Sequence, residues 1–209
     1  MKHSTKKPTS KNAGSVDKAY ATLTRVQQLF IDTVRRSGGN NDKRLLIVAG
    51  YHTDIEKTCS QAYTLPKDSF EGHLFISVHC YTPWQFCGMT EDADWGKMLP
   101  TWGTASDVAQ QNKLFDEMQQ FCTKNNLPAF IGELGVTAEK ESASRIRWLS
   151  HVMRAASSRK MVPVLWDTGA DVARSAPYRA TKVLLETLKS AFGQGPREQA
   201  PSAVAAEAN

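Results

Sequence analysis

The sequence predicts an α/β protein built on parallel strands, and three observations predict it. Short apolar runs alternate with longer amphipathic segments, in the order helix and then four strand-to-helix steps. Runs such as Leu74-Phe75-Ile76-Ser77-Val78 are near-continuously apolar, as strands covered on both faces are. Several runs end in a polar or aromatic side chain followed by a loop, where such folds gather their chemistry. Alternation of this kind implies parallel strands joined by right-handed crossovers.

Residues 1–16 hold Lys2, Lys6, Lys7 and Lys11, with no acid and no apolar period, and are expected to form a disordered basic leader. From Asp17, the positions Ala19, Leu23, Val26, Leu29, Phe30 and Val34 recur at helical spacing up to about Arg36. Ser15 or Asp17 suits the start; Arg35 and Arg36 before Gly38-Gly39 suit the end. Leu45-Leu46-Ile47-Val48-Ala49 reads as a buried strand, followed by a polar loop over Tyr51–Asp54. A short helix is expected near Ile55–Gln61, then the Leu74–Val78 strand running on through His79-Cys80-Tyr81.

Thr82–Ser106 reads as a long loop carrying Trp84, Phe86, Trp95 and Trp102, and loops of that length are usually functional. A helix is expected over Asp107–Asn126, with Val108, Leu114, Phe115, Met118, Phe121 and Cys122 inward. A strand over Ala129–Gly132 leads to Glu133. A helix over Glu141–Arg159 buries Ile146, Leu149, Val152 and Met153, and Val162–Trp166 is the fourth strand. A last helix is expected over Pro177–Phe192, with proline in its first turn. The organised domain is therefore 17–192, followed by a disordered tail, 193–209, of Pro, Ala, Glu and Gln.

At 209 residues the chain is long enough for one good core. Its net charge of +5 sits mostly in the leader: setting aside those four lysines leaves 22 basic residues against 21 acidic. That distribution argues against a nucleic-acid surface. Cys59, Cys80, Cys87 and Cys122 form no CxxC pair, which argues against a zinc site and a disulfide framework. The N-terminus has no apolar core of a secretory signal, no run suits a membrane span, and localisation is left open.

Residues just past the strand ends meet at one mouth in such a fold. These are Tyr51, His79, Tyr81, Glu133, Trp166 and Asp167, beside the loop tryptophans Trp84, Trp95 and Trp102. A carboxylate among aromatic faces suits a carbohydrate, whose rings stack on indoles and whose anomeric carbon needs a carboxylate partner. Tyr81 could hydrogen-bond that carboxylate and hold it ionised. Each residue also has an ordinary reading. His79, Tyr81 and Trp166 could be core, Asp167 could bond the following turn, and the loop tryptophans could pack their own loop.

Four stretches carry a family resemblance. They are Asp32-Thr33-Val34-Arg35 with Gly38-Gly39-Asn40-Asn41, Ser77-Val78-His79-Cys80-Tyr81-Thr82-Pro83, Ile131-Gly132-Glu133-Leu134-Gly135, and Val164-Leu165-Trp166-Asp167-Thr168-Gly169. With these motifs, over about residues 18–192, the chain resembles the catalytic domain of glycoside hydrolase family 5, the cellulases. The resemblance implies a (β/α)8 barrel of which this chain holds about the last four β/α units, a half barrel. It implies Glu133 as nucleophile of a retaining endo-β-1,4-glucanase, with His79 and Tyr81 as the sixth-strand pair beside it. Trp166 would floor the sugar site, and Trp84, Trp95, Trp102 and Asp167 would line the substrate cleft. No metal or organic cofactor is expected.

The family's Asn-Glu-Pro motif, with the acid/base glutamate, should fall upstream of Ala19, and no Asn-Glu dipeptide occurs here. Glu71, Glu91 and Asp94 are the other acids weighed for the cleft. The expected partner is a β-glucan, with glucan, mannan and xyloglucan backbones all open. Alternative readings are a non-catalytic glucan-binding or vestigial half barrel, or a half that assembles with itself or with a complementary half.

Overall fold

Four parallel strands stand side by side in chain order: β1 (Leu46–Asp54), β2 (Leu74–Cys80), β3 (Ala129–Leu134) and β4 (Val162–Leu165). The computed structural model that shows them describes residues 10–193, with side chains from residue 14 onward. The helices are α1 (Ser10–Arg36), α2 (Ile55–Thr58), α3 (Trp84–Cys87), α4 (Ala105–Asn125), α5 (Ser142–Ser158) and α6 (Lys182–Phe192). The fold is a half barrel, four β/α steps of the (β/α)8 type.

Helices cover only one face of the sheet. Leu46, Val48, Leu74, Ile76, Val78, Ala129 and Ile131 point under that layer and are buried. They meet Phe115 and Met118 of α4 and Trp148, Leu149 and Val152 of α5. On the other face Leu45, Ile47, Val162 and Val164 are exposed. The expectation of strands buried on both faces is therefore corrected: the second face is exposed on the two edge strands and half-buried at Phe75, Ser77, Phe130 and Gly132 of the inner two. A closed barrel covers its inner face with side chains from the strands opposite, and four strands supply only one side of that interior.

Boundaries moved where local hydrogen bonds outweighed the apolar pattern. The first helix begins at Ser10, not Asp17, so residues 10–16 of the expected leader are helical; residues 1–9 and the tail from 194 lie outside the described residues. That helix buries Tyr20, Gln27 and Ile31, while Val26, Leu29 and Phe30 are exposed. Its inner face follows hydrogen bonds that apolarity does not reveal: Tyr20 Oη donates to Lys57 O and Gln27 Nε2 to Ala49 O.

The expected loop over Tyr51–Asp54 is the end of β1, and the short helix after it stops at Thr58. Helix α4 begins at Ala105, set by a capping box in which Thr104 and Asp107 satisfy each other's backbone N–H groups. The last helix begins at Lys182, not Pro177. Thr181 caps it, and the Thr181 N–H donates to Asp171 O, which keeps the preceding residues in the loop.

Candidate active site

Strict pleating would turn Glu133 to the same side as Ile131, under the helices. It does not go there. The β2–β3 ladder slips in register between Val78 and His79, and Gly132 and Glu133 are both half-buried before Leu134 returns to the core. An irregularity of this kind re-aims one side chain, here the carboxylate, toward the open mouth. Gly132 lets β3 lie against Ser77 of β2: a Cβ there would lie 2.3 Å from Ser77 Oγ.

Tyr81 Oη donates to Glu133 Oε2 at 3.0 Å, and His79 Nδ1 lies 3.3 Å from the same oxygen. The His79 and Glu133 side chains are each 28% exposed, enough for a ligand to reach the carboxylate. Burial, and next the bond to Glu133, push the Tyr81 phenol above its ordinary value, so it stays a donor. Trp148 Nε1 donates to Thr82 O at 3.0 Å and anchors the chain just past Tyr81.

Two cavities flank this cluster, reaching it through His79 and Tyr81; Glu133 itself lines neither. One, of about 340 Å³, is bounded by His52, Asp54, His79, Tyr81, Trp84 and Leu114. The other, of about 500 Å³, is bounded by Tyr81, Trp84, Glu139, Arg145, Trp166 and Asp171. Tyr81 and Trp84 belong to both and form the ridge between them, their rings edge to face with centroids 6.2 Å apart. The indole lies on Gly88, where an added Cβ would meet it at 2.4 Å. Gly88→Ala is therefore expected to dislodge Trp84, raising quenching of tryptophan fluorescence by acrylamide with a melting-point change of only a few degrees. Unchanged quenching would show that the indole does not depend on this seat.

Trp84 is 51% exposed and Trp166 is 56% exposed, both open to a ligand. Trp102 corrects the expectation: it is 4% exposed, buried against His151 of α5, and holds its loop to the core. Trp95, 65% exposed on the Ala93–Gly96 turn, lines neither mouth cavity. Asp167 lines the second cavity, but its carboxylate accepts the backbone N–H groups of Asp171, Gly169 and Val172. Those donors, that of Asp171 first, hold its carboxyl below the usual range, so its main work is holding the loop.

Glu71, Glu91 and Asp94 line neither cavity, and Tyr51 is spent stacking on Tyr20 at 3.9 Å. His52, Thr53, Asp54, Glu139, Arg145 and Asp171 line the mouth without having been singled out in the sequence. His52 and Thr53 both take φ of 54°, a left-handed bend that no apolar pattern encodes. Arg145 pairs with Asp171 at 3.3 Å, joining α5 to the loop after β4. Among the described residues no group of three or more His, Cys, Asp or Glu is placed to hold a metal, and no helix is long and apolar enough to cross a membrane.

The family described as cellulase, glycosyl hydrolase family 5, matches residues 5–172. A xyloglucan-specific endo-β-1,4-glucanase of Bacteroides ovatus is 30% identical over 172 residues, covering 75% of this chain and 34% of its own. Endoglucanase A of Paenibacillus barcinonensis is 31% identical over 172 residues, covering 72% and 42%. Among solved structures, a broad-specificity endoglucanase from an uncultured bovine rumen ciliate superposes with a TM-score of 0.73 at 30% identity, covering 83% of this chain and 55% of that one. A Bacteroides ovatus xyloglucanase, solved with a XXXG heptasaccharide, has the same TM-score at 24% identity and likewise carries the fold. The chain spans between a third and just over half the length of these relatives.

Proposed function

Because the chain belongs to glycosyl hydrolase family 5, the cellulases, we propose that it forms the nucleophile-bearing half of a retaining endo-β-1,4-glucanase. The observation that supports this reading is Glu133, turned out of its pleat and held by Tyr81 and His79 through one oxygen. A carboxylate fixed in this way attacks an anomeric carbon in line with the departing glycosidic oxygen. The resulting glycosyl ester is then opened by water. Tyr81 orients the carboxylate and keeps it ionised. His79 supplies a second polar contact, and Trp166 and Trp84 offer flat faces to the sugar rings.

The substrate class is a β-glucan, and no metal or organic cofactor enters the reading. A retaining mechanism needs a second carboxyl group about 5–5.5 Å from the first. A polypeptide that completes the sheet, either a second copy or a complementary half, is therefore the second partner proposed. The runner-up reading is glucan binding without turnover, favoured by the open mouth and its two exposed indoles. Titration of the Glu133→Gln variant with cellotetraose, together with incubation of the unmodified chain with a 2-fluoro glycoside that traps a glycosyl ester, separates the two. Binding with no trapped intermediate in the unmodified chain would leave only the runner-up.

Tyr81→Phe tests the orienting role. It removes a hydrogen bond to a charged group, worth about 1.5–3 kcal/mol, so glycosyl transfer to Glu133 should slow about 10–100-fold. The fold should persist, because the ring stays. An unchanged rate would remove Tyr81 from the mechanism.

A further inference from the structure

The strand that carries His79 ends one residue short of Tyr81. The β2–β3 ladder stops at the Cys80–Leu134 pair, so sheet bonds do not fix the backbone that presents the phenol. Other bonds hold it from both sides. Before it, the buried Cys80 sulfur accepts from Gln111 Nε2 of α4 at 3.2 Å. After it, the Thr82 N–H turns back onto the same sulfur, and Thr82 O accepts from Trp148 of α5.

Gln111 is out of place for a residue that only packs. The inner stripe of α4 runs Gln111, Leu114, Phe115 and Met118, and its first member alone is polar. Gln111 is 2% exposed and commits an amide donor to a sulfur, a weak acceptor. Burying an amide is costly unless its bonds are good, and an apolar side chain of like volume would serve the core at least as well. Gln111, Cys80 and Trp148 line neither mouth cavity, so none of them reaches a ligand there.

We infer that Gln111 is a positioning residue for the site: acting through Cys80, it fixes the turn that lays Tyr81 on Glu133. Trp148 braces the far side of the same turn. Tyr81 Oη meets Glu133 Oε2 at 3.0 Å, and such a bond weakens steeply once its length or angle drifts. A slack turn lets the phenol swing out of that range. The placing of the phenol is a matter of geometry alone; its effect on rate rests on the nucleophilic role proposed for Glu133.

The experiment reads Tyr81 without substrate. Tyrosine is labelled at Cζ with an NMR-active carbon isotope, and Tyr81→Phe identifies its signal among the five tyrosines. Gln111→Met keeps the volume and removes the donor. It should move the Tyr81 signal at least half as far as Glu133→Ala does, while the chain stays folded. In a Cys80→Ala background Gln111→Met should add no further movement, because the route is already cut. Cys80→Ser keeps an acceptor and should leave the signal in place. Should Gln111→Met not fold, the two Cys80 substitutions carry the test, with movement expected for alanine and none for serine.

An unmoved Tyr81 signal in folded Gln111→Met overturns the inference. So does a movement that persists in the Cys80→Ala background, or equal movement with alanine and serine. Covalent capture of a 2-fluoro glycoside should also slow about 3–10-fold in Gln111→Met, with no further loss when Tyr81 is already replaced by phenylalanine. Affinity for cellotetraose should stay the same. A parent chain that captures no sugar, with the Tyr81 signal moving as expected, sustains the positioning role and counts against the catalytic reading alone.

Discussion

Glu133→Gln should abolish covalent capture of a dinitrophenyl 2-fluoro-cellobioside, seen as loss of one added sugar mass on the intact chain. The reagent suits a site whose proton donor is not among the residues around Glu133. Dinitrophenolate leaves without a proton as the bond from Glu133 to the anomeric carbon forms, and the fluorine slows the hydrolysis that would release the sugar. The substituted amide would keep the shape of the side chain and the company of Tyr81 and His79, but it is no nucleophile. Removing a nucleophile typically costs about 10⁴–10⁶-fold in rate, far beyond the effect expected of Tyr81→Phe. Equal labelling of both forms would place the reaction elsewhere, and no labelling of a folded chain would sink the catalytic reading.

The largest effect on stability should come from Arg35→Ala. Arg35 reaches from the last turn of α1 to both oxygens of Asp68, at 2.7 and 2.5 Å, and also donates to Asn41 O and Arg44 O. The two side chains are 7% and 5% exposed, so this is a forked, nearly dry pair. It ties α1 to the connection between β1 and β2, beside the core packing of Tyr20 and Ile31. Removing one partner strands the other charge, at a cost of about 2–4 kcal/mol and a fall of ~5–10 °C in melting point.

The pair also sets a pH dependence. The bond from Arg35 holds the Asp68 carboxyl below its ordinary 3.8. A carboxyl lowered on folding stabilises the protein above its unfolded value, and that contribution is lost as pH falls through the lower folded value. The stability gap between the parent chain and Asp68→Asn should therefore be full at neutral pH and close below pH 3.8. A gap independent of pH would mean that the pair contributes packing alone.

Much of this was legible in the residues, and the exceptions have physical causes. The parallel order of four strands followed from apolar runs alternating with amphipathic segments, because those two periods are the direct record of sheet and helix burial. Glu133, Tyr81, His79 and Trp166 could be assigned to one mouth because parallel strands end on the same side.

Trp102 could not be placed, since an indole in a loop reads the same whether it faces a sugar or His151. The inner face of α1 escaped because Tyr20 and Gln27 act through hydrogen bonds to distant backbone, and the start of α6 because the Thr181 N–H donates to Asp171 O. Sequence by itself determined that His79, Tyr81, Glu133 and Trp166 stand at or just past the ends of parallel strands. Only the tertiary structure decided that Glu133 turns into the mouth, because its direction depends on how β3 pairs with β2. The tertiary structure alone also decided that one face of the sheet stands open, because burial on a strand's second face depends on what lies across from it.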